Sequence, residues 1–183
     1  LGQHDRVYED MATKFFEHLL YIAQAMTGRG QPGGGLWDDT DAFYYDRLLL
    51  PDGTSEPLRI RSMVGLIPLF AVAVVDGSVL QRLPGFLDRL RYLREERSDL
   101  ATLVSRWNDA GSHGRHLLSL ARVYRMTKLL ERMLDEAEFL SPHGVRALSQ
   151  VYRDSPFEVA FDGVRYRMEY QAAESNSGMF GGN

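Results

Sequence analysis

Apolar positions recur at helical spacing near the start of the chain. Val7, Met11, Phe15, Leu19 and Ile22 stand three and four apart, and Phe16, Leu20 and Ala23 widen the stripe. An amphipathic helix is predicted over Val7–Met26. The glycine-rich stretch "GRGQPGGG", from Gly28, ends it in a loop. His18 lies among these apolar residues and reads as a partly buried structural histidine. The uninterrupted run "MVGLIPLFAVAVV", Met63–Val75, reads as a helix buried on nearly all sides. It is too short for a membrane span, which needs about 20 residues. Ser78 can cap a further helix to about Arg97, begun again or kinked at Pro84. A short helix is expected over Asp99–Trp107 and a long one from about Leu117 to Glu138. "SPHG", Ser141–Gly144, stops the latter, and a short helix follows around Val145–Tyr152.

Two stretches break the helical period. From Leu36 to Ser62 the aromatic residues Phe43, Tyr44 and Tyr45, the turn "PDGTSEP" and the alternating "LRIR" favour an irregular strand pair or a long ordered loop. Near the end, "FEVAF" and "VRYRMEY" alternate on either side of Asp162-Gly163, a residue pair suited to a tight hairpin turn. The expected fold class is therefore all-α, with small β-hairpin insertions.

The 183 residues suit one segment or domain, 44% hydrophobic and 25% charged. A net charge of -4 argues against a broad nucleic-acid surface. Arg89, Arg91, Arg94 and Arg97 do cluster, but Asp88, Glu95 and Glu96 alternate with them, as on a solvated, ion-paired helix face. The absence of cysteine excludes disulfides and thiolate metal sites and fits a reducing cytoplasm. The opening on Leu1 and the closing "AAESNSGMFGGN" suggest a piece of a larger protein, cut at both ends.

"LWDDTDAFYYD", Leu36–Asp46, mixes acidic and aromatic residues densely. Sugar sites use this mixture, because aromatic faces stack on sugar C–H faces and carboxylates accept from hydroxyls. Paired carboxylates also perform glycosidic acid–base chemistry. A structural loop with Asp caps explains the composition equally well. Arg61 and Ser62 precede the apolar run. Ser62 reads as a simple cap, with Arg61 either facing an oxygen-rich ligand at the helix start or holding a carboxylate such as Asp46. Asp135, Glu136, Glu138, His143 and Arg146 lie close in sequence. Ion pairing, with Arg146 meeting a helix-end carboxylate, fits them better than a metal site. No cofactor or metal is expected, and no phosphate loop, nucleophile elbow or zinc signature is present.

Four ordered stretches, "GLWDDTDAFYYD", "LRIRSMVGLIPL", "LDEAEFLSPHGVRALS" and "YQAAESNSGMFGGN", resemble the C-terminal catalytic domain of bacterial glycoside hydrolase family 63 proteins. That family includes mannosyl-oligosaccharide glucosidases. Ala42 departs from the resemblance, standing where Gly is expected, as does Ala172, where Pro is expected. The resemblance implies part of an (α/α)6 toroid and inverting hydrolysis of α-glucosidic bonds, with the acid and the base both outside this segment. It implies substrate-lining roles for Trp37, Asp38, Asp41, Tyr44, Tyr45, Asp46, Glu174, Ser175 and Asn176, with Arg61 and Arg146 supporting. The expected partner is an oligosaccharide or glucoside, in a bacterial cytoplasm, without nucleic acid or membrane. A partial toroid would also expose apolar helix faces, so self-association of the chain is expected. A non-catalytic helical module, binding saccharide or protein through the same loop, is the alternative.

Overall fold

The computed structural model describes residues 6–28, 34–101, 109–161 and 163–172. It overturns the all-α expectation: 43% of the structure is helical and 25% is strand. Among the described residues the strands form five separate two-stranded antiparallel ladders. The chain divides into two compact units. One comprises Leu1–Trp37 and Pro68–Met126, the other Asp38–Ile67 and Thr127–Asn183.

The first unit is built on α1, Arg6–Thr27, which Gly28 ends in the left-handed region at φ +65°. The helix buries Phe16, Leu20 and Ala23, while Val7, Met11, Phe15 and Ile22 stay exposed. Its apolar arc is so wide that periodicity alone does not say which edge packs. His18, expected partly buried, is exposed. The run read as a buried helix is not one. Met63–Leu69 is a 3-10 helix, and Val72–Asp76 is a strand, β1. β-branched Val72, Val74 and Val75 favour the extended form.

β1 pairs with β2, Arg115–Ser119, in the register Val72↔Ser119 to Asp76↔Arg115. That pairing takes the first turns of the expected Leu117–Glu138 helix, which becomes α4, Val123–Met133. Between the strands lie a single turn, α2 (Gly77–Leu80), and α3 (Pro84–Glu96), with Pro84 in the first turn of α3 where no backbone N–H is needed. The helix expected at Asp99–Trp107 is described only as far as Ala101, within a turn of helix at Ser98–Ala101; residues 102–108 lie outside the described set.

Packing of α3 on α1 supplies the core of this unit. Phe16 and Phe86 meet edge to face at 5.6 Å, and Leu20, Leu83, Leu90 and Leu93 close round them. Arg89 pairs with Glu17 of α1, and Arg91 pairs with Asp88 at 2.8 Å, so the basic face of α3 is ion-paired. α3 has no local side-chain cap. Glu9 of α1 takes that role, its Oε1 accepting from the Phe86 N–H at 3.0 Å. Gly85 leaves room, since a Cβ there would lie 3.2 Å from the same oxygen.

The second unit holds the ladder Asp46–Leu49 with Ser55–Leu58, and the hairpin β3 (Phe157–Phe161) and β4 (Val164–Met168). The hairpin matches the alternation expected there. Gly163 sits at φ +76°, where other residues are strained. The short helix expected at Val145–Tyr152 is instead a strand pair, Leu140–Ser141 with Gly144–Val145, followed by a 3-10 turn at Gln150–Arg153. Ile60, Leu148, Tyr152, Met168 and Tyr170 pack together beneath.

Glu9→Ala removes the only cap of α3 that the described residues provide. It should lower the unfolding free energy by about 1–2 kcal/mol in urea titration. Glu9→Gln, which retains an acceptor, should recover most of that loss.

Candidate functional site

The second unit gathers an ion network from segments far apart in sequence. Arg61 lies in a stretch pinned on both sides. Its own N–H donates to the Tyr152 hydroxyl at 2.8 Å, and its carbonyl accepts from Ser149 N–H at 2.9 Å. Ser62 forms an isolated bridge with Leu148, and Met63 N–H donates to Ala147. The Arg61 guanidinium thereby lands among three acceptors: Glu138 Oε1 at 3.3 Å, the Tyr45 hydroxyl at 3.4 Å and Asp41 Oδ1 at 3.5 Å. It meets Asp41 and Glu138 rather than Asp46.

Glu138 is the buried centre. Both Arg61 and Arg132 reach its Oε1, and Ser149 Oγ donates to Oε2 at 3.1 Å. Arg132 also donates to the Asp41 carbonyl, and its guanidinium lies over the Phe43 ring at 5.9 Å. Two carboxylates and two guanidiniums make the cluster electrically neutral, which is how buried charge becomes tolerable. Burial works against the Arg61 cation. The Tyr45 hydroxyl and the charge of Glu138 outweigh it, with Asp41 adding to them, so its pKa is raised. Burial likewise pushes up the Tyr152 phenol.

The aromatic–acidic block folds round this cluster. Asp38 Oδ1 accepts from the N–H groups of Thr40 and Asp41, each at 2.9 Å, and Oδ2 pairs with Arg59 at 2.9 Å. This side chain therefore holds a turn, as the cap reading of the loop allowed. Phe43 is fully buried and stacks on Phe139 with centroids 5.9 Å apart. Tyr44 and Tyr45 are buried as well, so neither ring offers an open face to a sugar. Tyr45 donates its hydroxyl to Asp41 Oδ2 at 2.8 Å. Asp46 is exposed at the start of its strand. Asp41 and Arg61 keep 31% and 23% of their side-chain surface open, and they form the accessible edge of the network.

Trp37 belongs to the first unit, half-buried, with the Arg125 guanidinium 4.8 Å from its ring centroid. Arg146 clamps a turn by donating to the carbonyls of Glu136 and Leu140, and its Nε donates to the Tyr170 hydroxyl at 3.2 Å. It meets backbone oxygens where a carboxylate was expected. Glu174, Ser175 and Asn176 lie outside the described residues. Glu138, Arg132, Ser149 and Tyr152 were missing from the expected site, Glu138 having been read only as one of a cluster of ion-pairing residues. Nothing local in the sequence marks them, since their partners lie in distant segments. Among the described residues, no three His, Asp or Glu side chains converge to hold a metal ion.

Comparison with known proteins adds one relative. The chain is 40% identical over 195 aligned positions to the uncharacterized protein YMR196W of Saccharomyces cerevisiae. The alignment takes in all of this chain and 18% of that protein, so the chain spans under a fifth of its relative's length. No family model and no solved structure matches the chain.

Two predictions follow from this geometry. Ala42, beside Asp41, sits at φ +50°, in the left-handed region that costs a side chain about 1–2 kcal/mol. Ala42→Gly should therefore stabilise the protein by about 1 kcal/mol in denaturant unfolding, after the entropy of glycine is subtracted. Burial, aided by Asp41 and opposed by Arg61, pushes the Tyr45 phenol from 10.0 up to about 12. A raised folded-state value favours the fold fully below pH 10.0 and is lost as pH climbs to about 12. Unfolding free energy should fall across that window, and Tyr45→Phe should flatten the fall, leaving the part due to Tyr152. An unchanged slope in Tyr45→Phe would contradict this.

Proposed function

We propose that this chain is a segment of a glycoside hydrolase acting on α-glucosidic bonds, in which it lines and braces the substrate site while the acid and the base come from elsewhere. The observation that supports this most directly is the open edge of the neutral network. Asp41 and Arg61 are preorganised as an acceptor and a donor beside each other, both partly exposed. All three Arg61 side-chain contacts lie at 3.3–3.5 Å, at or beyond the long end of ordinary hydrogen bonds. The guanidinium therefore loses little by turning one N–H toward a sugar hydroxyl. Asp41 can accept from a neighbouring hydroxyl at the same time.

Neither carboxylate of the network suits the chemical step. Glu138 is buried with both oxygens occupied, and each Asp41 oxygen already has a partner. An inverting pair needs one carboxyl group facing the leaving oxygen and another facing a water. With the tyrosines buried, the loop contributes polar contacts and rigidity rather than stacking faces.

The test uses the complete reading frame that encodes this chain, assayed against aryl α-glucosides and small α-linked disaccharides. Hydrolysis is expected from the complete product and none from residues 1–183 alone. In the complete protein Arg61→Lys should lower kcat/KM about tenfold or more, because a lysine cannot keep the planar fork between three acceptors. Arg153→Lys, at an exposed position, should leave it unchanged. Saccharide binding without turnover by the complete product would favour the non-catalytic module. Wild-type kinetics in Arg61→Lys would remove the network from the site.

A further inference from the structure

The first unit carries a strand edge that the described residues leave open. The register of β1 with β2 pairs Val72 with Ser119 and Ala73 with Leu118. The Leu120 N–H donates to the Ala71 carbonyl at 3.0 Å, so Ala71 turns its backbone toward β2. By antiparallel alternation Ala73 and Val75 do the same, and the backbone groups of Val72 and Val74 and the N–H of Asp76 point the other way. The Asp76 carbonyl sits at the N-cap of α2, where it accepts the first helical bond. Among the described residues no backbone hydrogen bond reaches the outward groups of Val72 and Val74.

This edge is lightly protected, with one charge, Asp76, at its end. Val72–Val75 contains no charge, no proline and no glycine. Phe70, Val72 and Val74 alternate along one face and are 64%, 42% and 60% exposed. Beside the strand runs an apolar groove of about 480 Å³, lined by Ala12, Phe15, Leu19, Phe70 and Val72 among others.

We propose that β1 is a self-pairing edge, through which two copies of this chain join as an antiparallel ladder centred on Val74. A two-fold axis at Val74 brings only outward-facing groups together. The two Val74 residues exchange hydrogen bonds, and each Asp76 N–H reaches the Val72 carbonyl of the second copy. Valine meets valine at the centre, a favourable cross-strand pair. The charge pattern suits this arrangement, because the single charged residue of the strand, Asp76, falls opposite Val72. The two Asp76 carboxylates therefore end up at opposite ends of the ladder. A two-fold interface of this kind closes on itself, so association stops at a dimer.

The test is sedimentation velocity of the complete 183-residue chain across a concentration series. A monomer–dimer equilibrium is expected. Val74→Lys and Val74→Glu each place like charges face to face and should weaken it about tenfold. An equimolar mixture of the two variants should restore dimers, now sensitive to salt. Val123→Lys, at an equally exposed position of α4, should change nothing. Amide exchange of the wild type gives a second measure that needs no variant. Exchange at Val74 and Asp76 should slow with rising concentration, while Ala73 stays constant. A wild type that remains monomeric throughout would overturn the proposal and assign the edge to another partner or polypeptide segment. So would wild-type dimerisation by Val74→Lys, or a mixture that stays monomeric.

Discussion

The carboxylate of Glu138 is the point on which the second unit turns. One buried group is shared by Arg61, Arg132 and Ser149, and through the two arginines it fixes both the Asp41 turn and the tyrosine beside it. The energetics of such a cluster are asymmetric. An intact neutral network gains little over well-packed apolar residues, yet withdrawing one member strands a charge in the interior. Its value lies in geometry, because each member can occupy only one position if all are to be satisfied. The backbone around it is held just as closely, with the Arg61 segment bonded in turn to Ala147, Ser149 and Tyr152.

The two units solve the burial of apolar surface differently. The first relies on helix against helix, with Phe16, Phe86 and the leucines of α3 forming a continuous core. The second relies on short ribbons and turns round a core rich in aromatic rings, to which the ion network adds charge-assisted bonds. Small ribbons hide only one face each and are marginal on their own. A site made from their loops therefore needs an anchor that does not depend on regular secondary structure, and the ion network is such an anchor.

What was legible in the sequence follows the same division. α1 was readable because its period persists over many turns, and the final hairpin because Asp162-Gly163 separates two alternating runs. β1 was not. An apolar run has no alternation to distinguish a strand from a buried helix, and the β-branched Val72, Val74 and Val75 were the only local hint. β2 was hidden because Leu117 fits the spacing of the helix that follows. The Asp38 turn was readable as one of two alternatives. The network itself was out of reach, since Arg61 and Glu138 stand 77 residues apart and nothing local requires them to meet. Ala42 marks the converse case, a residue with a side chain at a position whose backbone favours glycine.

The cap of α3 also bears on how the chain acquires its structure. The Phe86 N–H in the first turn of this helix is answered by Glu9, 77 positions earlier, and no side chain at the N-cap does the same. A helix of this length without a local nucleus is poorly populated as an isolated peptide. α3 therefore becomes helical as it docks, not before. During synthesis α1 leaves the ribosome long before its counterpart, with Phe16, Leu20 and Ala23 exposed to water until Phe86 and Leu90 arrive. Loop closure over that separation is slow relative to local folding. The interval between the two helices is thus when the nascent chain is most open to capture by a chaperone.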